Sequence, residues 1–218
     1  MYDSPGPEGF AKSGQSYGIS AGMGFANMPA EILLSVTHTS NAIDANTFLA
    51  NTYTVPFTSW INTGTSVINP NVSYEYYNAL AGASYTIKAD LVNIDFKLML
   101  GYSYCEFPEM HNYITSYYGN SNPVLTTLGP LTYSSFAYDF GIGLKVFVGM
   151  NVFLTANIDI FGTTSCPSSA IVNFSEPVQM GPNASPVTQT TVSCSLATAS
   201  QAIGSLGIGY AFPYQKKK

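Results

Sequence analysis

His38, Ser40 and Glu75 are residue types used in acyl-ester hydrolysis, and their spacing suits two neighbouring strands. His38 and Ser40 are two residues apart, so an extended chain points both to one side. Glu75 has the same outward parity at the start of a later strand. His38 as base, Ser40 as nucleophile and Glu75 orienting the imidazole would form a hydrolytic triad. The alternative is a set of polar side chains at a strand end, and we expect no catalysis.

Six charged residues share the opposite, inward face of the predicted strands. They are Glu31, Asp95, Lys97, Asp139, Lys145 and Asp159. We expect them to form a charge network that fills the lumen of a small barrel, in which Asp139 and Asp159 lie about opposite each other and need Lys97 or water between them. A proton or ion path is the alternative.

The cysteines predict an oxidising compartment. Cys166 and Cys194 bracket one polar segment, so a disulfide would clasp that loop, although sequence alone leaves unpaired thiols open. Cys105 lies apart from them. The two histidines, His38 and His111, do not cluster with the cysteines, and no phosphate loop or dinucleotide motif is present. We therefore expect no metal and no cofactor.

Strict alternation of residue type predicts the elements that position these groups. Between Ser135 and Val148 every even position is apolar, and the odd positions are mostly small or polar. The pattern returns over 151–160 after a tight turn at Gly149-Met150-Asn151, which predicts a hairpin. Because the polar face is mostly Gly, Ser and Ala, it suits the inside of a narrow barrel, and the apolar face points outward to lipid. A soluble, lipocalin-like barrel with inverted faces is the rival.

Composition agrees with a membrane barrel. Of 218 residues, 46% are hydrophobic and 9% charged, far below the roughly 25% charged residues of an ordinary soluble domain. No stretch reaches the ~18 to 20 consecutive apolar residues of a membrane helix, so a chain of this kind crosses a bilayer as a barrel. The net charge is −5 and arginine is absent, which argues against a nucleic-acid partner.

Seven alternating segments are predicted as strands: 15–26, 30–40, 76–88, 90–104, 133–148, 151–162 and 196–212. Short turns alternate with long loops at 41–75, 105–132 and 164–195, as in outer-membrane barrels. Such barrels have an even number of strands. We therefore expect an eight-strand design whose first strand lies upstream, was not identified, or comes from another chain. A seven-strand barrel closed by parallel pairing of 15–26 with 196–212 is the alternative.

The long loops combine aromatic residues with many Ser, Thr and Asn, a composition typical of binding surfaces. Trp60, Tyr113, Tyr117 and Tyr118 are the candidate contact residues. They could dock a partner protein, a host ligand or a polysaccharide, or they could only cap the barrel mouth.

The chain resembles the outer-membrane beta-barrel domain family of Bacteroidota, of the small eight-stranded type. The resemblance rests on three runs: Gly9-Phe10-Ala11-Lys12-Ser13-Gly14 leading into Tyr17-Gly18-Ile19-Ser20-Ala21-Gly22, Gly141-Ile142-Gly143-Leu144-Lys145-Val146-Phe147-Val148, and Gly207-Ile208-Gly209-Tyr210-Ala211-Phe212. It implies a location and a fold and little about activity. The His38-Thr39-Ser40-Asn41 run is separately similar to that of outer-membrane lipid A deacylases.

These patterns predict one all-β domain, an antiparallel transmembrane up-and-down barrel. Residues 1–14 would form an external loop, 15–212 the barrel and 213–218 a periplasmic tail. We expect a location in the bacterial outer membrane, contact with lipid or lipopolysaccharide, and a structural, binding or accessory role beside other outer-membrane proteins. Lipid A acyl-ester hydrolysis and small-solute transport are the alternatives.

Overall fold

A computed structural model describes residues 11–25, 28–43, 61–62, 73–89, 92–116, 123–128, 130–149, 151–164, 169–179, 185–193 and 200–212, and all regular structure there is β-strand. The strands are β1 (Ala11–Gly24), β2 (Ala30–Ile43), β3 (Ile61–Asn62), β4 (Ser73–Ala89), β5 (Val92–Phe107), β6 (Met110–Ser116), β7 (Pro123–Leu128), β8 (Leu131–Gly149), β9 (Val152–Thr163), β10 (Ser169–Gln179), β11 (Pro186–Ser193) and β12 (Ser200–Tyr210). Within the described residues, no helix is both long and apolar enough to cross a membrane.

The main sheet has seven antiparallel strands in the order β1-β2-β4-β5-β8-β9-β12. Each strand pairs with the next one in that order, so the sheet is an up-and-down meander. Short connections join β1 to β2, β4 to β5, and β8 to β9 at one end, which we call the turn end. At the β8–β9 turn Gly149 and Asn151 have positive φ, a conformation that favours these two residue types. The other end is the loop end.

The sheet is nearly closed into a barrel. Asn41 Nδ2 on β2 donates a 2.8 Å hydrogen bond to Gln201 Oε1 on β12, although the two strands are far apart in the sheet order. Leu33 of β2 and Ile203 of β12 also pack on the same interior cluster. The predicted all-β antiparallel fold with seven strands in this chain is confirmed. β1 and β12 are the two edges and do not pair with each other, so the parallel closure considered above is not found among the described residues.

The alternation places apolar side chains on the outside of the barrel. On β8 the exposed positions include Phe136, Phe140 and Leu144, each between 47% and 49% exposed, whereas Ala137 and Asp139 between them are buried. The same inversion holds on β5, where Leu100 is 49% exposed and Met99 is 2% exposed. The face that a water-soluble sheet buries is here the outer face.

The segments predicted as long loops contain strands that the alternation did not predict. Segments 41–75, 105–132 and 164–195 contain β3, β6, β7, β10 and β11, which form a second, five-stranded antiparallel sheet in the order β11-β10-β7-β6-β3. These strands are short and rich in Thr, Ser and Asn, so they lack the apolar alternation that marks the barrel strands. Their mutual hydrogen bonds, which sequence periodicity does not reveal, define them.

Strand limits also differ from the predicted ones. β1 begins at Ala11, inside the segment 1–14 expected to be a loop, because its backbone pairs with β2 as far as Ile43. β12 covers Ser200–Tyr210 rather than 196–212. The rest of the predicted N-terminal loop, residues 1–10, and the predicted tail, 213–218, lie outside the described residues.

Candidate functional sites in the lumen and at the loop-end rim

Two ion-pair clusters occupy the lumen toward the turn end. Lys97 Nζ lies 3.2 Å from Asp139 Oδ2 and 2.9 Å from Asp159 Oδ2. In the second cluster, Lys145 Nζ lies 3.1 Å from Asp95 Oδ2 and 3.7 Å from Glu31 Oε1. All six charged residues singled out from the sequence face this interior, and each cluster has two carboxylates and one ammonium group. Buried charges of this kind are tolerated because they are paired.

The strand register explains the shape of the first cluster. Asp139 pairs across the hairpin with Phe161, and Asp159 pairs with Gly141, so the two aspartates are diagonal neighbours rather than opposite each other as expected. The space above Gly141 is taken by Asp159 Oδ1 and by the Lys97 side chain, both of which a Cβ at this position would hit. A glycine at 141 therefore leaves room for Lys97 to reach both aspartates.

An apolar layer lies next to these charges. Leu80, Met99, Ala137 and Phe161 are buried together, and Leu33 and Ile203 pack against them. Each comes from a different strand, because inward positions of neighbouring strands meet at one level of the lumen.

Hydrogen-bonded polar side chains lie in the lumen on the loop-end side of the apolar layer, and the buried rings of Tyr74, Tyr76 and Phe107 lie nearer the loop end. Ser103 Oγ donates to Asn78 Oδ1 at 2.6 Å, and Asn78 Nδ2 donates to Thr37 Oγ1 at 3.1 Å. Asn78 and Ser103 are only 2% and 1% exposed. A Ser16–Thr39 hydroxyl pair at 2.9 Å continues this network to β1. The lumen thus contains a charged region, an apolar layer and an amide–hydroxyl region.

His38, Ser40 and Glu75 come together on the outer face of the loop-end rim. His38 Nε2 lies 2.8 Å from Glu75 Oε2, and Ser40 Oγ donates to Glu75 Oε1 at 2.7 Å. The Ser73 hydroxyl donates to the same carboxylate oxygen at 2.5 Å. The carboxylate therefore lies between the serine and the histidine, whereas in a hydrolytic triad the imidazole lies between the other two. The geometry is that of a carboxylate held by three donors.

Sequence reasoning did not identify the side chains that surround His38. Tyr17 on β1 and Tyr77 on β4 flank its ring, with ring centroids 4.8 Å and 4.7 Å away, and Tyr104 continues the row at 6.2 Å from Tyr77. Register pairs Tyr17 with His38, His38 with Tyr77, and Tyr77 with Tyr104. The signal that would have found them is cross-strand pairing, which depends on tertiary register.

The remaining sequence candidates are placed only in part. Tyr113 lies on β6, where it pairs with Leu125. Trp60, Tyr117, Tyr118, Cys166 and Cys194 lie outside the described residues. Strands β10 and β11 pair Ser169 with Ser193, next to the segments that contain the two cysteines. Cys105 is fully buried on β5. The described residues contain no group of three or more His, Cys, Asp or Glu side chains suited to a metal ion.

Lys97 is expected to be the most sensitive charge in the lumen. Lys97→Met leaves Asp139 and Asp159 without their shared cation, and we expect a loss of about 2 to 4 kcal/mol of unfolding free energy, since a buried carboxylate loses its partner. Urea titration in detergent micelles measures the change. The matched control adds Asp139→Asn and Asp159→Asn to the same variant, which removes the repulsion and should recover most of the loss. Equal stability of wild type and Lys97→Met would contradict this assignment.

We expect that replacing Ser40 leaves the acylation of lipid A unchanged. The reason is that the Ser40 hydroxyl is bound to Glu75 rather than to the imidazole of His38. Mass spectrometry of lipid A from cells that express wild type, Ser40→Ala or His38→Ala should give the same acylation pattern. A deacylated species that is present with wild type and absent with Ser40→Ala would show that the serine acts as a nucleophile.

Comparisons with protein-family models, with curated proteins and with solved structures give no match for this chain.

Proposed function

We propose that this protein spans the bacterial outer membrane as a β-barrel and acts there as a non-catalytic binding or accessory subunit of a larger complex. The single observation that carries the proposal is the inverted distribution of side chains. Among the described residues, thirty large hydrophobic side chains are exposed, including Ile19 at 80% and Leu206 at 89%, while Asp139 and Asp159 are 7% and 6% exposed. Soluble monomers rarely expose contiguous apolar surface of this extent, and lipid is the solvent that favours it.

The strand lengths support a membrane location. The seven barrel strands have 11 to 19 residues, whereas a tilted strand needs about 9 to 11 residues to cross the hydrocarbon core. Each strand is therefore long enough to cross and to continue into the interface on at least one side.

Aromatic residues at both ends of the barrel also support a membrane location. The outward row Tyr17, His38, Tyr77 and Tyr104 lies toward the loop end, and Tyr85, Tyr210 and Phe212 are exposed toward the turn end. Two aromatic girdles at the lipid–water interfaces are typical of outer-membrane barrels. The family resemblance in three glycine-rich runs points to the same location and leaves the activity open.

An accessory role is supported by two surfaces, the second sheet and one strip of the barrel wall. The second sheet gives the polar segments between barrel strands a regular framework on which a partner could dock. On β4 the outward positions Ala79, Ala81 and Ala83 are small and exposed, between the larger side chains of β2 and β5. Small residues on a lipid-facing surface allow close packing against another membrane protein. Lipopolysaccharide and other outer-membrane proteins are the proposed contacts.

Small-solute transport has less support. The apolar layer of Leu33, Leu80, Met99, Phe161 and Ile203 occupies the lumen, and a barrel of about eight strands has an interior that side chains fill.

The membrane location predicts a depth-dependent cost for a charge on the outer face. Leu100→Arg at the middle of β5 should reduce folding free energy in lipid vesicles by about 2 to 4 kcal/mol, whereas Ile87→Arg near the turn end should cost about 0 to 1 kcal/mol. Urea-dependent folding into phosphatidylcholine vesicles measures both. Equal, small effects at the two positions would indicate a water-facing surface and contradict the proposed location.

The accessory role predicts that the alanine strip is an interface. Ala81→Phe should abolish co-purification of partner proteins in mild detergent, because a large ring prevents close approach. Ala156→Phe, the same change at an outward position on β9, is the matched control and should leave the complex intact. Isolation of wild-type protein as the only chain in the pull-down would contradict the proposal.

A further inference from the structure

The two charged clusters of the lumen have the same composition but different burial. We call them the Lys97 cluster, with Asp139 and Asp159, and the Lys145 cluster, with Asp95 and Glu31. Each carries one negative charge in excess when all of its groups are ionised. Both carboxylate side chains of the Lys97 cluster are 9% exposed, whereas those of the Lys145 cluster are 18% and 32% exposed. The excess charge is therefore more costly in the Lys97 cluster.

Hydrogen bonding separates the two clusters in the same direction. Asp95 has a donor at each oxygen, because Thr86 Oγ1 donates to its Oδ1 at 2.6 Å and Lys145 Nζ lies 3.1 Å from its Oδ2. Among the described residues, the Oδ1 atoms of Asp139 and Asp159 are buried and have no hydrogen-bond partner. Donors at both oxygens stabilise the charged form of a carboxyl group. The Lys97 cluster thus combines deeper burial with fewer donors.

One ammonium group is the only cation beside the two aspartates in the part of the chain that the structure describes. Lys97 on β5 contacts both Asp139 and Asp159. The other charged groups of the lumen, on β2, β5 and β8, belong to the Lys145 cluster, whose ammonium group already contacts two carboxylates. β4 and β12 contribute no charged residue at this level of the lumen. The second negative charge of the Lys97 cluster therefore has no counter-charge.

Asp139 has the less polar surroundings of the two aspartates. It pairs with Met99 on β5 and with Phe161 on β9. Both of these side chains belong to the apolar layer, at 2% and 3% exposure. Lys97 Nζ lies 3.2 Å from Asp139 Oδ2, compared with 2.9 Å from Asp159 Oδ2. Apolar neighbours and a longer ion pair both favour the neutral form of a carboxyl group.

We propose that the Lys97 cluster is a proton-binding site, in which Asp139 holds one proton at neutral pH. The cluster then consists of a neutral acid, an ammonium group and a carboxylate, and has no net charge. The Asp139 carboxylate takes the proton from water to form one O–H bond, and the proton returns to water when the acid ionises. The site depends on the lumen alone, so it goes beyond the proposed function and holds independently of what surrounds the outer face.

Folding then takes up one proton, because aspartate in an unfolded chain is ionised above about pH 4. The folded state binds more protons than the unfolded state, so stability falls as the pH rises. The unfolding equilibrium constant increases about tenfold per pH unit until Asp139 ionises in the folded barrel, and this contribution is constant above that pH. Asp95 is ionised in both states over this range and contributes no such dependence.

Urea unfolding of the full chain in detergent micelles, between about pH 5 and pH 8, tests the proposal. Asp139→Asn replaces the neutral acid by a neutral amide of similar shape. We expect its logarithm of the unfolding constant to rise with pH by about one less per pH unit than that of the wild type. Groups that titrate in both proteins cancel in this difference. Asp95→Asn is the matched control in the Lys145 cluster and should keep the wild-type dependence.

The two aspartates are distinguished by stability at neutral pH. Asp139→Asn retains the shorter ion pair, between Lys97 and Asp159, and should be the more stable variant. Asp159→Asn retains only the longer pair, beside the apolar layer, and should be the less stable one. The reverse order would overturn the assignment of the proton to Asp139.

Infrared spectroscopy of the wild type gives a readout that needs no variant to fold. A protonated carboxyl group has a carbonyl band separate from those of carboxylates and amides. We expect one such band at neutral pH, which Asp95→Asn retains and Asp139→Asn loses. Absence of the band from the wild type, or equal pH dependence of wild type and Asp139→Asn, would overturn the proposal. Stability that falls when a large organic cation replaces sodium at constant ionic strength would overturn it too, because it would indicate a bound metal cation.

Discussion

Backbone register in the seven-stranded antiparallel sheet is the constraint on which the rest of this structure depends. Successive side chains alternate between two faces, so one register assigns each barrel residue to the outside or the lumen, and a slip of one residue would exchange the faces. The register that pairs Ser84 with Lys97 and Lys97 with Gly141 puts the lysine inside. The same register places Leu98 and Leu100 outside, at 56% and 49% exposure.

The interior of the barrel is polar because the apolar side chains of its strands face outward. Because the apolar face of the sheet points outward, the other face fills the lumen, and a narrow lumen admits small residues together with a few long ones that find partners. Gly141 illustrates this dependence, since its missing side chain provides the space in which Lys97 meets Asp159. The apolar cluster around Met99 and Phe161 then closes the lumen without a requirement for further polar partners.

The loop-end rim and the two edges of the main sheet are the features in which this barrel departs from a regular closed wall. At the rim, three donors hold Glu75, and the His38 ring packs between Tyr17 and Tyr77, so polar and aromatic groups lie together at this end of the barrel. Among the described residues, β1 and β12 are the two edges of the main sheet and do not pair with each other.

Alternation along the chain was sufficient to predict the seven barrel strands, their antiparallel order, the outward direction of the apolar face and the inward position of the six charged residues. It was sufficient because a period of two is a local property of each strand. The tertiary structure decided how strands pair, which local sequence does not encode. Pairing made Asp139 and Asp159 diagonal, placed Glu75 between His38 and Ser40, assembled β3, β6, β7, β10 and β11 into a second sheet, and left β1 and β12 as open edges. Polar strands of that second sheet show no periodicity, since their stability comes from hydrogen bonds to distant segments rather than from an amphipathic face.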